Sequence, residues 1–192
     1  MKRLSFLLIL FVFAFRNYAQ EIPFNQMHEA PGTYSASAIL ERYIDGLGFR
    51  LHWATEGLQQ NDYDFSPVED GRSIRETLEH IYSLCLVIEN TLRGEENIRP
   101  EKLPKLSDEE LRKTALRSLE RSRTLLDERF EPSTHDLVFR SGEQEFRLPF
   151  WNLINGPMED AVYHTGQIVL MRRMNGNPIP EGVNVLTGQK QN

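Results

Sequence analysis

Two side chains in the last third of the chain have the types and spacing of a metal site. Asp160 and His164 lie four residues apart in the run GPMEDAVYHTGQIVLMRRMNG, which has the pattern of a helix. Helical residues i and i+4 lie one above the other, so a carboxylate and an imidazole at this spacing can bind one ion. Gln167, Met171 and Met174 fall on the same face, which indicates that Asp160 is directed at an apolar core.

A carboxylate directed at a core needs a compensating positive charge, because an unpaired buried charge is strongly destabilising. The nearest cations on the helix, Arg172 and Arg173, are predicted to point away from that face. A divalent metal is therefore the best compensating group. Two alternatives stay open for the pair alone: His164 only hydrogen-bonds to Asp160, or another helix supplies a cation.

His80 is the candidate for a third ligand. It lies in SIRETLEHIYSLCLVIENTLRG, which opens with the capping box Ser73-x-x-Glu76 and ends at Gly94. The apolar residues of this run repeat at spacings of four and three, as in a helix packed inside a bundle. His80 flanks that stripe at a helix–helix seam, and the alternative is a core histidine without a ligand role. Glu76 lies one turn earlier and is predicted to accept the other imidazole N–H.

The segments ETLEHIYSL and DAVYHTGQI together resemble the DinB/YfiT superfamily of four-helix-bundle metalloenzymes. Its usual pattern has one histidine on the second helix and two histidines four apart on the last long helix, followed by a short run ending Gly-Gln-Ile. The resemblance spans roughly residues 35–178 and implies that His80, Asp160 and His164 bind one divalent metal per chain. Asp160 stands where the commoner pattern has histidine.

The exchange of an imidazole for a carboxylate affects which metals are expected. A carboxylate cancels one unit of the metal's charge, so bound water is acidified less than by three neutral imidazoles. The carboxylate also makes the site suitable for harder metal ions. We expect zinc or nickel first, with iron(II) and manganese as alternatives.

The N-terminal 20 residues are predicted to be a signal peptide, with Lys2 and Arg3 before an apolar run from Leu4 to Phe15 and Ala19 before the cut. The protein is then exported, periplasmic or secreted, with no stable membrane anchor after cleavage. Removal of the segment, including Arg16, leaves 19 basic and 28 acidic side chains, and the net charge changes from −6 to −9. Such a surface argues against a nucleic-acid partner.

The mature chain is predicted to be an all-α DinB-like four-helix bundle with a crossover connection and a small β-hairpin before the last helix. The expected divisions are an extended N-terminal arm at 21–34, the bundle at 35–178 and a loosely packed tail at 179–192.

Cys85, the only cysteine, belongs to a core stripe and forms no internal disulfide. The charged residues of the helix that begins near Ser107 predict a solvated face. A proline at 157 predicts a kink or a fresh start in the last helix.

The remaining histidines are predicted to lie outside the site. His52 is expected to lie at the edge of the apolar stripe of the first helix. His28 is expected to be solvated in the arm, and His135 is expected to be exposed just before the hairpin. The hairpin itself is a possible lid for the site. The candidates for a general base are Glu76 and Tyr163. Motifs for a di-iron centre, haem attachment or a phosphate loop are absent from the sequence.

Two classes of function follow. The first is a metalloenzyme that hydrolyses a small molecule or, as the resemblance implies, transfers a low-molecular-weight thiol; export favours hydrolysis, because such thiols are scarce outside the cytoplasm. The second is a non-catalytic bundle in which the metal is structural, or which binds a small ligand or partner. A homodimer is possible in either class. Three protein ligands favour the enzyme, since structural zinc sites are usually closed by four.

Overall fold

The computed structural model describes residues 21–191, so the predicted signal peptide lies outside the described residues. Its helices are α1 (Ala36–Thr55), α2 (Gln60–Tyr63), α3 (Ile74–Arg93), α4 (Asp108–Thr124), α5 (Trp151–Leu153) and α6 (Glu159–Met174). The strands are β1 (Asn97–Ile98), β2 (Leu137–Ser141), β3 (Gln144–Leu148), β4 (Val183–Asn184) and β5 (Gln189–Lys190). Four long helices and a small hairpin confirm the predicted helical bundle. None of the helices within residues 21–191 is long and apolar enough to cross a membrane.

The four long helices form a ring in which α1 contacts α4 and α6, and α3 contacts the same two helices. Arg75 of α3 pairs with Asp108 of α4, and Glu89 of α3 pairs with Arg121 of α4, so these two helices run parallel. In the ring, α1 lies diagonally opposite α3, and α4 lies diagonally opposite α6. Because the neighbouring helices α3 and α4 run parallel, the connection between them must cross the length of the bundle. This confirms the predicted crossover connection.

Capping residues fix where the helices begin and end. Ser73 and Glu76 form the predicted capping box of α3, and Gly94 ends that helix in the left-handed conformation. Ser107 and Glu110 cap α4 in the same way. These side chains satisfy backbone N–H groups that the first turn of a helix leaves without partners. The bounds of α3 therefore follow from local sequence.

The charged face of α4 is not the solvated surface that the sequence predicts. Arg112 is buried and donates to Thr55 Oγ1 at the end of α1. Arg121 donates to both carboxylate oxygens of the buried Glu89 at 2.7 and 2.8 Å. Arg123 donates to Asp45, a fully buried residue of α1. Three arginines thus connect α4 to both of its neighbours through charge-assisted hydrogen bonds.

The last helix has an irregular turn at Pro157. The chain remains helical from Trp151 to Met174, but a π-helical turn at Ile154–Met158, which contains the proline, separates α5 from α6. The wider turn accommodates a residue that has no backbone N–H to donate. The predicted interruption of the α-helix near Pro157 is therefore found as a π-helical turn, which ends two residues before Asp160.

The hairpin of β2 and β3 lies at the end of the bundle where α3 ends, because β1 pairs in parallel with β2. Arg93 lies thirteen positions after His80 in α3, a distance of about 20 Å along the helix. The hairpin therefore does not cover His80, and the possible lid is not found.

The N-terminal arm and the C-terminal tail are packed together on α1. Phe24 of the arm is 2% exposed. Met27 N–H donates at 2.8 Å to the backbone oxygen of Gly188, which lies in the turn between β4 and β5. His28 Nδ1 lies 2.7 Å from the Asp45 carboxylate, and the His28 side chain is 41% exposed, in agreement with the prediction of a solvated residue. The tail ends in a β-hairpin that contacts the arm, and most of its described residues are exposed or only partly buried.

Candidate metal centre

The structure brings together the three predicted ligands at the seam between α3 and α6. His80 Nε2 lies 3.1 Å from Asp160 Oδ2, and His164 Nε2 lies 3.3 Å from Asp160 Oδ1. The two imidazole rings are nearly perpendicular, with centroids 4.6 Å apart. One ligand atom from each residue lies within 4.8 Å of the other two.

The centre is less buried than the sequence predicts. The Asp160 side chain is 41% exposed, compared with 30% for His80 and 12% for His164. Asp160 is therefore not an uncompensated charge in an apolar core, and its burial gives no reason to expect a metal. The convergence of three potential ligand groups on one point still indicates a candidate metal site.

Gln167 orients His164. Its Oε1 lies 2.7 Å from His164 Nδ1, and a carbonyl oxygen can only accept, so Nδ1 carries the ring hydrogen of the neutral imidazole. The lone pair of Nε2 then faces an Asp160 oxygen, which is also an acceptor. Two acceptors at this distance need a cation between them, and a metal ion or a proton on the ring supplies one. Helical spacing predicts that Gln167 shares a face with His164, and the i, i+3 spacing of the two residues is the sequence signal for this hydrogen bond.

The donor set fits a divalent transition metal. Two imidazole nitrogens and one carboxylate are typical ligands of zinc, nickel, iron(II) and manganese, and a fixed tautomer presenting Nε2 is the usual arrangement for a ligating histidine. Arg172 does not compete for Asp160, because its guanidinium is buried and donates to the carbonyl oxygens of Trp53, Ala54 and Glu56.

The two candidate general bases differ in position. Glu76 Oε2 accepts from Ser73 N–H at 2.8 Å as part of the capping box, and it is solvent-exposed. The predicted hydrogen bond from His80 to Glu76 is absent among residues 21–191, so the helix cap explains this carboxylate. Tyr163 is 65% exposed and its ring meets the His164 ring edge to face, with centroids 5.3 Å apart. Only Tyr163 remains beside the centre.

The other histidines and the cysteine lie outside the centre. His52 is buried and its Nδ1 donates to Pro23 O at 2.8 Å, while burial lowers the pKa of its ring. His135 packs against Phe130 and is only partly exposed. Cys85 is fully buried, which raises the pKa of its thiol well above the usual range. A buried neutral thiol agrees with the predicted core role.

Two clefts border the centre. One has a volume of about 350 Å³ and includes His164, Gln167 and Arg72. The other has a volume of about 620 Å³ and includes Asp160 and Tyr163 together with residues of the π-helical turn. His164 and Asp160 therefore each line a concave surface, and the side chains of all three residues are partly exposed to solvent.

Comparison with known proteins places the chain in a family. The model of the DinB family matches residues 42–187, which contain all three ligand candidates. A crystal structure of a DinB-like protein from Bacillus subtilis is similar in fold: its TM-score is 0.54 at 16% sequence identity, over 74% of this chain and 96% of that one. None of the curated proteins matches. The chain therefore belongs to the DinB family, as the HTGQI segment and His80 predict.

Proposed function

We propose that this chain is an exported metalloenzyme in which His80, Asp160 and His164 hold one divalent transition metal. The observation that carries the proposal is the convergence of three ligand atoms, and only three among residues 21–191, between two open clefts. A metal with three protein ligands keeps an exchangeable position, where it acidifies bound water or a thiol and polarises a carbonyl group.

The chain's own residues have separate tasks in this proposal. Gln167 holds the His164 ring through Nδ1, which leaves Nε2 as the atom that would bind the ion. The Asp160 carboxylate contacts both histidines and would lower the charge of an ion held by the three residues. Tyr163, at the rim of the larger cleft, is placed to donate a hydrogen bond to a bound substrate.

Hydrolysis of a small molecule is the preferred reaction, and thiol transfer is the second candidate. The preference comes from the N-terminal sequence, which has the charge and apolar pattern of a signal peptide. A purely structural metal is less well supported, because the apolar core of the bundle is fully buried without it and the ligands lie near the surface.

A cobalt-loading experiment tests the metal and the open position together. We expect the purified protein to bind about one Co²⁺ per chain and its visible spectrum to change when azide or 2-mercaptoethanol is added. His80→Ala and His164→Ala should each lose stoichiometric binding, while the isosteric Asp160→Asn should weaken it.

His135→Ala is the matched control, since it removes a histidine outside the centre and should leave cobalt binding unchanged. Stoichiometric cobalt in the double variant His80→Ala/His164→Ala would exclude the proposed site. A spectrum that ignores every added ligand would show a closed site and favour the structural role.

A further inference from the structure

The smaller cleft has an unusual combination of apolar walls and one cation. Its apolar lining is formed by Pro67, Leu170, Met171 and Met174, and its polar lining includes His164 and Arg72. A volume of about 350 Å³ is at the lower end of the range for small-molecule sites. The cleft therefore has room for a small organic molecule beside the metal ligands.

Arg72 is a cation without a protein partner. Within residues 21–191 it forms no ion pair and no hydrogen bond to another side chain, although the chain is acidic overall. Arg112 and Arg123, which bridge elements of the bundle, are by contrast paired with carboxylates. An exposed guanidinium at the edge of an apolar cleft is suited to bind a carboxylate from solution.

The loop that carries Arg72 is held by its own hydrogen bonds. Ser66 Oγ donates to Val68 O at 2.6 Å and to Gly71 O at 2.9 Å, and Gly71 N–H donates to Val68 O. A Cβ on Gly71 would lie 2.7 Å from Val68 Cγ2, so the turn is close-packed. The backbone of Arg72 is thus fixed between this turn and the cap of α3.

The apolar walls contain side chains that the bundle core does not use. Leu170 is 55% exposed and Met174 is 56% exposed, although both are large and apolar. Neighbouring exposed apolar side chains beside a concave polar centre often mark a ligand site. Methionine is well suited to this, since its flexible thioether adapts to the shape of a ligand.

We propose that the smaller cleft binds a carboxylate with a short alkyl chain, the carboxylate at Arg72 and the chain on Leu170, Met171 and Met174. The far end of the molecule then lies at His164. The substrate class is therefore a small carboxylic acid that carries a second, reactive group at that end, and this assignment of a substrate rests on the proposed function. A monoanion is favoured over a polyanion, because the cleft has one cation and the protein has a net charge of −6.

Methyl NMR of methionine-labelled protein tests the subsite with hexanoate as the probe. We expect hexanoate to shift the methyl signals of Met171 and Met174 and to bind metal-free protein more tightly than hexanol or hexylamine does. Arg72→Ala should weaken hexanoate binding by about three- to tenfold and leave hexanol binding unchanged, since only the charged contact is lost. High salt should reduce the difference.

Arg173→Ala is the matched control, because Arg173 is an exposed arginine of α6 that does not line the cleft. The metal-free form separates this inference from the proposed function. If Arg72→Ala and the unaltered protein bind hexanoate equally, or if hexylamine binds best, the subsite does not exist even where cobalt binds the triad. If the triad binds no metal but hexanoate binding still depends on Arg72, the metalloenzyme proposal fails and the subsite stands.

Discussion

At the scale of single residues, Asp160 contacts both His80 and His164, and each contact uses a different carboxylate oxygen. A site with two neutral imidazoles and one carboxylate carries a negative charge that three imidazoles lack. If the proposed centre binds a metal, we expect iron(II) and manganese to compete better with zinc and nickel there than at a site with three histidines.

The first prediction at this scale concerns Gln167, which hydrogen-bonds to His164. Gln167→Leu removes the acceptor that fixes the His164 tautomer, and loss of such a partner typically weakens metal affinity by roughly 10- to 100-fold. Gln167→Glu keeps an acceptor in place and should retain most of the affinity. Competition with a chromophoric zinc chelator measures both constants. Equal zinc affinities for the leucine variant and the unaltered protein would mean that the hydrogen bond does not orient the ligand.

The clustering of Asp160 with His164 could be predicted from the sequence because helical spacing is local. Two residues four positions apart share a face once the segment is helical. The roles of Glu76 and Arg72 could not be predicted in the same way. Glu76 had two possible partners, Ser73 and His80, and only the side-chain geometry distinguishes them. Arg72 lies in a loop, where no periodicity relates it to α6.

At the scale of elements, the N-terminal arm shows what periodicity does not reveal. Its residues have no helical or strand pattern, yet Phe24 is buried with a positive φ of 66°. That backbone conformation is unfavourable for a bulky residue, so the burial of the ring must compensate for it. The ring occupies the space above Gly48, where a Cβ would lie 2.5 Å from its atoms.

Gly48→Ala therefore tests how firmly the arm is docked. The added methyl group should displace Phe24 and cost about 2–3 kcal/mol of burial, less roughly 1 kcal/mol gained in helix propensity. Gly46→Ala is the matched control: it lies in the same helix, but its Cβ would meet the flexible end of the Arg50 side chain at 3.2 Å and Met27 Cε at an ordinary contact distance of 3.8 Å. We expect a lower melting temperature and faster proteolysis in the arm for Gly48→Ala alone. Equal melting temperatures for the two variants would show that the ring is not tightly packed.

At the scale of the whole molecule, the sequence predicted the bundle but not how its helices are joined. The apolar stripes and capping boxes of α3 and α4 identify amphipathic helices, and long loops indicate a crossover. The parallel pairing of α3 with α4 depends on buried contacts such as Glu89 with Arg121, which are 32 residues apart in sequence. Contacts at that separation have no local signature, so the charged residues of α4 were predicted to be solvated.

The bundle and the metal centre should be separable by melting. The core residues of α1, α3, α4 and α6 are buried without any contribution from the ligands, so chelation should leave the helical circular dichroism spectrum at 25 °C unchanged. Zinc at a hundredfold excess over its Kd should stabilise the fold by about 2.7 kcal/mol. For a domain of this size that corresponds to a rise of roughly 5–10 °C in Tm.

The variant His80→Ala/His164→Ala should show the apo Tm with or without zinc, and a zinc-dependent rise in that variant would place the stabilising ion elsewhere. Loss of the helical signal on chelation would instead show that the metal holds the bundle together, because a bundle closed by its own apolar core does not need the ion to fold.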